Sequence, residues 1–369
     1  MKITVLYLGK SGGGCVYTYE MVRHLLEQKV EIQLILSTLI ENKIDFENLN
    51  NQENLNLIFT PTYKNGKDFV LKSLNILKFI KIGNRIDSFS PDWIYIPMIS
   101  IWARMILPFV NKKTKVITTI HDVSMHLGEK NSLIDRFNDY IIRHSHKIVT
   151  LSERFIPLIS EKYVLNTKQI CWIRHGNYNY YRPVNFQNKN SITKRILFFG
   201  RIHEYKGISV LLDAMTIIKE KDPDIVLNIV GKGKFSESDN EKINWLGKSC
   251  NVVNKYIPNE EIYRYFEDID FVVVPYIEAS QSGVVMLAYS FSKPVIVTNV
   301  GGLPEQVFED TGIIVQPNDK NALADSILKM YEEPQKIPEM GKFAEEKNET
   351  VFSWKTSAKK LLKFLETDF

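Results

Sequence analysis

Residues 198–207 decide how this sequence folds, and they read FFGRIHEYKG. The apolar residues that lead into them from Ile196 predict a buried strand, and the apolar spacing after Gly207 predicts a helix. A strand that turns directly into a helix is typical of a parallel α/β sheet. Arg201 and Lys206 then lie beside the positive end of that helix, which favours binding of a diphosphate. A solvated basic turn is the alternative.

The same alternation of strands and helices runs along most of the chain. Strands are predicted at 3–8, 30–36, 55–59, 93–96, 115–120, 147–151 and 170–173, and helices at 16–27, 68–89, 132–143 and 153–162. The polar, Asn- and Tyr-rich segment 176–193 interrupts this rhythm, and we interpret it as an interdomain linker. Further strands are predicted at 196–199, 225–230, 252–253, 269–275 and 294–298, and helices at 208–220, 260–266, 283–291, 319–331 and 352–365.

This pattern predicts an α/β protein of two doubly wound, Rossmann-like domains facing a cleft. We expect an N-terminal domain over 1–178 and a C-terminal domain over 179–354. A last helix near 355–369 is expected to pack back on the first domain.

Composition and charge narrow the class of protein. Of the 369 residues, 44% are apolar and 24% are charged, as in globular proteins. We find neither a signal peptide nor a run of about 18 apolar residues, and we expect a cytoplasmic protein without a membrane span. The three cysteines lack metal-ligand spacing, and we expect no bound metal. Residues 1–183 hold 24 Lys or Arg against 16 Asp or Glu, a net charge of +8, while the remainder carries −4. Only the first half is therefore expected to meet an anionic surface, unless the charges simply scatter unevenly.

Two features of the N-terminal half suggest a ligand. The glycines at 12–14 match neither a P-loop nor a dinucleotide fingerprint. The bare backbone at Gly13 and Gly14 nevertheless lets a ligand approach a strand-to-helix turn, with a merely tight turn as the alternative. His121 directly follows the strand at 115–120, where it faces the cleft and is able to bond a substrate. A structural histidine is the alternative.

Three further turns follow predicted strands of the C-terminal half. Gly231 and Gly233 end the second strand. Residues 278–285 read EASQSGVV, in which small polar residues open a helix and Glu278 is suited to accept sugar hydroxyls or to cap the helix. Residues 299–305 read NVGGLPE and end on Glu305. We expect these loops to converge on one ligand.

At these residues the sequence resembles the retaining glycosyltransferases of the GT-B fold, in the group 1 family (glycosyltransferase family 4). The resemblance covers essentially the whole chain and is most specific over 198–305. It implies that Arg201 and Lys206 bind the diphosphate of a sugar nucleotide, that Glu278 holds the transferred sugar, and that His121 faces donor sugar and acceptor. The implied donor-binding residues are Gly13, Gly14, Gly200, Gly231, Gly233, Tyr256, Ile257, Ser280, Gln281, Ser282, Gly283, Val284 and Glu305.

The sequence departs from the family pattern at one position. The family usually carries a second glutamate, which holds the ribose, eight positions after the first. Met286 stands there in this sequence, followed by Leu287, so the ribose contact is unassigned.

The resemblance implies retaining transfer of a hexose-type sugar from a nucleoside-diphosphate-sugar to a glycan or lipid-linked glycan, in bacterial surface polysaccharide synthesis. It implies front-face displacement without a metal or cofactor, and no nucleic acid partner. A sugar-nucleotide epimerase and a non-catalytic sugar-nucleotide binder remain alternatives. Residues 72–85 mix apolar and basic side chains. They suggest peripheral contact of the N-terminal domain with an anionic membrane at its inner face, or else a core helix with a basic face.

Overall fold

A computed structural model describes residues 1–122, 132–188 and 191–367 of the chain. Contacts between Cα atoms divide these residues into two compact units. The first unit holds 1–122, 132–175 and 354–367, and the second holds 176–188 and 191–353.

The first unit is built on a parallel sheet whose strands are rich in β-branched and aromatic residues, and most of these strands are buried, whereas the edge strand Leu55–Thr60 is mainly half-buried. Within the described residues this sheet has seven strands in the order β3-β2-β1-β4-β5-β6-β7. The elements, in chain order, are β1 (Lys2–Tyr7), α1 (Gly13–Leu26), β2 (Glu31–Ser37), α2 (Lys43–Asn48), β3 (Leu55–Thr60), α3 (Gly66–Ser73), α4 (Ile76–Phe89), β4 (Trp93–Ile96), α5 (Ile101–Ile106), β5 (Lys115–Ile120), α6 (Ser132–Arg143), β6 (Lys147–Thr150), α7 (Ile156–Tyr163) and β7 (Ile170–Trp172).

The second unit repeats this architecture. Its described residues form a six-stranded parallel sheet in the order β10-β9-β8-β11-β12-β13. The elements are β8 (Arg195–Phe199), α8 (Ile208–Lys221), β9 (Val226–Val230), α9 (Glu237–Leu246), β10 (Cys250–Val253), α10 (Arg264–Glu267), β11 (Phe271–Val274), α11 (Gly283–Ser290), β12 (Val295–Thr298), β13 (Gly312–Val315), α12 (Lys320–Glu332) and α13 (Lys336–Thr350). Both units are therefore Rossmann-like, as the sequence predicts.

The last helix, α14 (Trp354–Glu366), belongs to the first unit. Trp354, Ala358 and Leu361 are buried in the same hydrophobic core as the inner face of α1. At its carboxyl end, the fully buried ammonium of Lys147 donates to the backbone oxygens of Phe364 and Thr367. A cation at this end of a helix satisfies carbonyls that have no partner within the helix.

The segment predicted as a linker, 176–193, is built into the second unit along its first part. The amide of Asn177 donates to the oxygen of Phe352 at 2.8 Å, and the amide of Tyr178 donates to Ser290 Oγ at 2.9 Å. Asn177 and Tyr178 are both buried. This part of the predicted interdomain linker is therefore packed within the second unit, held by groups that lie more than 100 residues further along the chain.

The helix predicted over 68–89 is two helices. The first helix ends at Ser73, and Asn75 is the N-cap of the second. The Asn75 side chain accepts a hydrogen bond from the amide of Lys78 at 3.3 Å. Asparagine is a favoured N-cap because its short side chain replaces a missing backbone acceptor. Among the described residues, no helix is both long and apolar enough to cross a membrane.

Candidate functional site

The loops after β8 and β11 meet at the point where the strand order of the second sheet reverses. In open α/β sheets, ligands bind at the carboxyl ends of the strands at such a switch point. Here the amide of Ile277 donates to the oxygen of Tyr205 at 2.8 Å, which joins the two loops directly. The switch point therefore brings residues 200–207 together with residues 275–282.

The glycines of these loops let the protein's own backbone come close. Gly207 and Gly231 both have positive φ values, of 68° and 150°. A Cβ atom on Gly207 would overlap the oxygen of Pro275, and one on Gly231 would overlap the oxygen of Gly200. Gly233 likewise packs on the oxygen of Ile202. These contacts hold the loops in register, which is a different use of glycine from the ligand approach that the sequence suggests for Gly231 and Gly233.

The two cations that the sequence singles out are linked through one tyrosine. Arg201 is exposed, and its guanidinium donates to the hydroxyl of Tyr205 at 3.2 Å. The ammonium of Lys206 lies 4.8 Å from the centroid of the Tyr205 ring and 3.7 Å from that of Tyr276. Aromatic faces attract cations through their quadrupole. Arg201 and Lys206 thus lie at the same edge of the second unit, next to the start of α8.

The start of α11 is fixed by a side-chain clamp. The amide of Ser282 donates to Gln306 Oε1 at 2.8 Å, and Gln306 Nε2 donates back to the oxygen of Ser282 at 3.1 Å. Ser282 Oγ accepts from the amide of Val284 as the N-cap and donates to the hydroxyl of Tyr276 at 3.3 Å. The sequence implies that this backbone contacts a donor, but the amides of Ser282 and Val284 already have partners in the protein.

Two buried polar atoms beside these loops lack a hydrogen-bond partner within the described protein. They are Nδ1 of His203 and Oε1 of Gln281. A buried polar atom without a partner costs about 1–3 kcal/mol, and such atoms call for a ligand, an ion or a water. Glu278 is half-buried on the same loop as Gln281, three residues before it.

The other implied donor residues of the second unit occupy neighbouring turns. The oxygen of Ser280 accepts from the amide of Gly302 at 3.1 Å, and Glu305 lies in the 3₁₀ turn Leu303–Gln306 that follows. Tyr256 is 60% exposed beyond β10, whereas Ile257 is buried.

Three residues of α11 pack into the protein. A Cβ atom on Gly283 would lie 2.9 Å from the buried ring of Tyr178. Met286 is fully buried, and Leu287 is 4% exposed. Neither side chain therefore lines an open surface where a ribose would bind.

In the first unit, the glycine turn and His121 lie at corresponding strand ends of their own sheet. Helix α1 begins at Gly13, and the amide of Gly12 donates to Glu41 Oε1 at 2.8 Å. A Cβ atom on Gly14 would lie 2.7 Å from both the Tyr7 hydroxyl and Met98 Sδ. A side chain at position 14 would therefore have to displace the ends of these two side chains.

His121 is held by two neighbours in the first unit. Its Nε2 lies 2.8 Å from the oxygen of Pro97, so this nitrogen carries the proton and Nδ1 is left as an acceptor. The ring of Tyr17, one turn into α1, packs edge-on at 4.8 Å between centroids. Burial lowers the pKa of His121 below its usual value, although the Pro97 oxygen and Asp122 oppose this shift. The imidazole is thus kept neutral near pH 7.

Sequence reasoning overlooked several residues that organise these sites, namely Tyr17, Glu41, Tyr205, Tyr276 and Gln306. The tyrosines end or follow apolar runs and are indistinguishable there from core residues. Gln306 gives no pattern signal, because its partner Ser282 is 24 positions away.

Two Asp-x-Asp pairs, a spacing that often binds metal, were also overlooked, at 222–224 and 268–270. Both contribute to the structure of the second unit. Asp222 accepts from the ammonium of Lys194 at 2.8 Å, and Asp270 accepts from the amide of Thr193 at 2.9 Å and the hydroxyl of Tyr331 at 3.0 Å. In the described part of the chain, no group of three His, Cys, Asp or Glu side chains is placed to hold a metal ion.

Two Rossmann-like units with parallel sheets, and cations at the switch point of the second, define the GT-B class of fold. Solved structures of that class match over nearly their full length. A glycosyltransferase from Rickettsia africae aligns with a TM-score of 0.72 at 20% identity, covering 99% of this chain and 97% of that one. Anabaena HepE, solved in complex with UDP, aligns with a TM-score of 0.70 at 17% identity, covering 99% of both chains.

The chain belongs to the group 1 glycosyltransferases of family 4. A model described as Glycosyltransferase Family 4 matches residues 11–176, and one described as Glycosyl transferases group 1 matches residues 193–333. The D-inositol 3-phosphate glycosyltransferase of Corynebacterium diphtheriae is 30% identical over 177 residues, which are 46% of this chain and 41% of that protein. The match thus spans about two fifths of the length of this relative.

Proposed function

We propose that this protein transfers a hexose-type sugar from a nucleoside-diphosphate-sugar to a hydroxyl of a glycan or lipid-linked glycan, in the synthesis of bacterial surface polysaccharide. The observation that carries the proposal is the placement of Arg201 and Lys206 at the switch point of the second unit, both against Tyr205. Two cations beside a helix start suit a diphosphate, which carries two to three negative charges. The structural relative HepE binds UDP, which is such a diphosphate.

The chemistry assigned to these residues is electrostatic. As the bond between sugar and phosphate breaks, negative charge builds up on the departing nucleoside diphosphate. Arg201, Lys206 and the start of α8 stabilise that charge, and groups fixed in place before the reaction do so without reorganising. Two protein cations supply the positive charge that a divalent metal otherwise provides, and we therefore propose a metal-independent reaction.

Two side chains next to this site suit the sugar. Gln281 Oε1 accepts a sugar hydroxyl, and the half-buried carboxylate of Glu278 accepts one or two more. We assign His121, neutral and with Nδ1 as an acceptor, to the donor sugar and acceptor hydroxyl. We further propose that transfer retains the anomeric configuration, by attack on the face from which the diphosphate leaves.

A ligand screen followed by turnover tests the proposal. The melting temperature is measured with UDP, GDP, ADP and their common sugar derivatives. A ligand at 100 times its dissociation constant stabilises the protein by about 2.7 kcal/mol. The bound donor is then incubated with glycan acceptors in the presence and absence of EDTA, and product anomers are assigned by NMR. An α-linked product from an α-donor, formed equally with EDTA, is the expected result.

Other outcomes identify other functions. Conversion of the donor to a second sugar nucleotide without an acceptor product means an epimerase. Tight nucleoside-diphosphate binding without turnover of any donor means a non-catalytic binder. Absence of stabilisation by every nucleotide contradicts the proposed site.

A further inference from the structure

The helix pair α3 and α4 exposes a group of apolar side chains where the two helices meet, while Phe79, Ile82 and Ile86 further along α4 are buried. Five large aliphatic residues at the junction of the two helices are exposed, and we call this set the α3–α4 corner: Val70, Leu71, Leu74, Ile76 and Leu77. Leu71, Leu74 and Leu77 are 70%, 77% and 72% exposed. Exposed aliphatic residues are ordinary when they are scattered, but a contiguous group marks a surface that binds something.

The corner is not free to turn inward, because the opposite face of α3 is anchored. Ser73 Oγ accepts a hydrogen bond from Trp102 Nε1 at 2.9 Å, and Phe69 packs edge-on against Tyr63 at 4.8 Å between centroids. Lys67, Val70, Leu71 and Leu74 follow the i, i+3, i+4, i+7 spacing of one helix face and are the face left outside. The aliphatic residues of α3 therefore lie on its exposed face.

Positive charge surrounds the corner. Residues 64–85 contain six Lys or Arg and a single acid, Asp68, which is paired with Lys72 at 2.9 Å. Lys81 and Arg85 are exposed and follow Leu77 by four and eight positions, on the same side of α4. Lys67 lies on the exposed face of α3, three positions before Val70.

We infer that the α3–α4 corner docks on a membrane surface rich in anionic lipid. Aliphatic side chains enter the boundary between headgroups and acyl chains, while the flanking cations meet lipid phosphates. The combination favours a bilayer over a second copy of this chain, because two such corners would bring like charges together. This inference does not depend on the proposed reaction, and its test requires no sugar donor.

The test is flotation of the full-length protein with vesicles of phosphatidylcholine alone, or of equal parts phosphatidylcholine and phosphatidylglycerol. We expect binding to the anionic vesicles at low salt, weaker binding as salt rises, and none to neutral vesicles. The triple variant Leu71→Ser, Leu74→Ser, Leu77→Ser should bind at least about tenfold more weakly, since it loses most of the inserted apolar surface.

A matched control separates insertion from general loss of exposed apolar residues. Ile44, in α2 of the same unit, is 72% exposed, and Ile44→Ser should float like the unaltered protein. Because all four altered residues are exposed, each variant should keep its melting temperature, and this is measured in parallel. A second set, Lys67→Gln, Lys81→Gln and Arg85→Gln, should flatten the salt dependence, whereas Lys112→Gln with Lys113→Gln should leave it unchanged.

Three results would overturn the inference. One is the absence of flotation with anionic vesicles at low salt. Another is a triple serine variant that binds anionic vesicles as well as the unaltered protein does. The third is a dimer in analytical ultracentrifugation that the triple serine variant dissociates, because the corner would then be a contact between copies.

Discussion

The ammonium of Lys206 lies 3.7 Å from the centroid of the Tyr276 ring. The hydroxyl of the same tyrosine accepts a hydrogen bond from Ser282, the N-cap of α11. One aromatic residue therefore connects the cation that precedes α8 with the start of a second helix. The oxygen of Tyr276 also accepts from Thr298 Oγ1 at 2.5 Å, so its backbone is fixed to the end of β12. The position of the cation is set by three strand ends of one sheet.

Removal of either cation should impair the reaction and leave the fold intact. Arg201→Ala and Lys206→Ala are each expected to lower the rate of transfer by about 10²–10³, the usual loss for one preplaced group that stabilises developing charge. Both should also weaken nucleoside-diphosphate binding in calorimetry. Lys248→Ala, an exposed lysine of the same unit, serves as the control and should behave as the unaltered protein. Near-normal turnover in Arg201→Ala or Lys206→Ala would contradict the assignment.

The ring and the hydroxyl of Tyr276 can be tested separately. Tyr276→Leu removes the aromatic face beneath Lys206, and we expect affinity for the nucleoside diphosphate to fall about tenfold as the ammonium loses its fixed position. Tyr276→Phe keeps the ring and removes only the contact with Ser282, so its affinity should fall no more than about threefold. Calorimetric titration of both variants with the same diphosphate decides. Equal losses in the two variants would mean that the hydroxyl, not the ring, is what matters.

Two glycines of the second unit should differ in how much stability is lost when they are replaced, because only one of them lies against a neighbouring backbone segment. Gly231 and Gly247 both have positive φ, but only Gly231 would bring a Cβ atom onto a neighbouring backbone oxygen, that of Gly200. Gly247 has no atom within 4 Å of such a Cβ. We expect Gly247→Ala to cost about 1–3 kcal/mol of unfolding free energy through its backbone conformation alone. Gly231→Ala should cost more than about 3 kcal/mol. The unfolding free energies of the two variants are measured in urea. Comparable losses of stability would show that the contact between Gly231 and Gly200 does not constrain position 231.

A buried lysine should make the stability of the second unit depend on pH in the alkaline range. Burial lowers the pKa of Lys293 to about 8 against the pull of Asp270 and Asp268, and its ammonium donates to the oxygen of Ile269 at 2.8 Å. Between pH 8 and the ordinary value of 10.5, the unfolded chain binds more protons at this group than the native chain does. The native state should therefore gain up to about 1.4 kcal/mol per pH unit from this group in that window.

Comparison with Lys293→Met isolates the contribution of Lys293 from that of other titrating groups. The unfolding free energy of the unaltered protein, relative to the variant, should rise with pH between about 8 and 10.5 and stay level below that range. Parallel curves for the two proteins across the window would show that the ammonium is not destabilised in the native state.

Much of the fold follows from local sequence, because buried parallel strands need continuous apolar runs. The runs at 93–96 and 115–120 gave strands with the observed bounds. Helix α13 escaped prediction because its buried stripe includes Gly341, Ala344 and Asn348, which are too small or too polar to register as an apolar face. The candidate site likewise contains residues that the local sequence predicts and residues that it does not. Arg201 and Lys206 stand out within one short segment, whereas the Ser282–Gln306 clamp and the docking of Tyr178 depend on distant partners.

The Gln306 side chain amide both accepts from and donates to the backbone of Ser282, as a residue of a neighbouring β-strand would do. Because the clamp reaches α11 from the turn that follows β12, the start of this helix is held from outside the loop of residues 277–281. We therefore expect substitutions at Glu278 or Gln281 to leave the start of α11 in place. On the proposed assignment of these two side chains to the sugar, a change of sugar preference requires no change in the residues that hold Arg201 and Lys206.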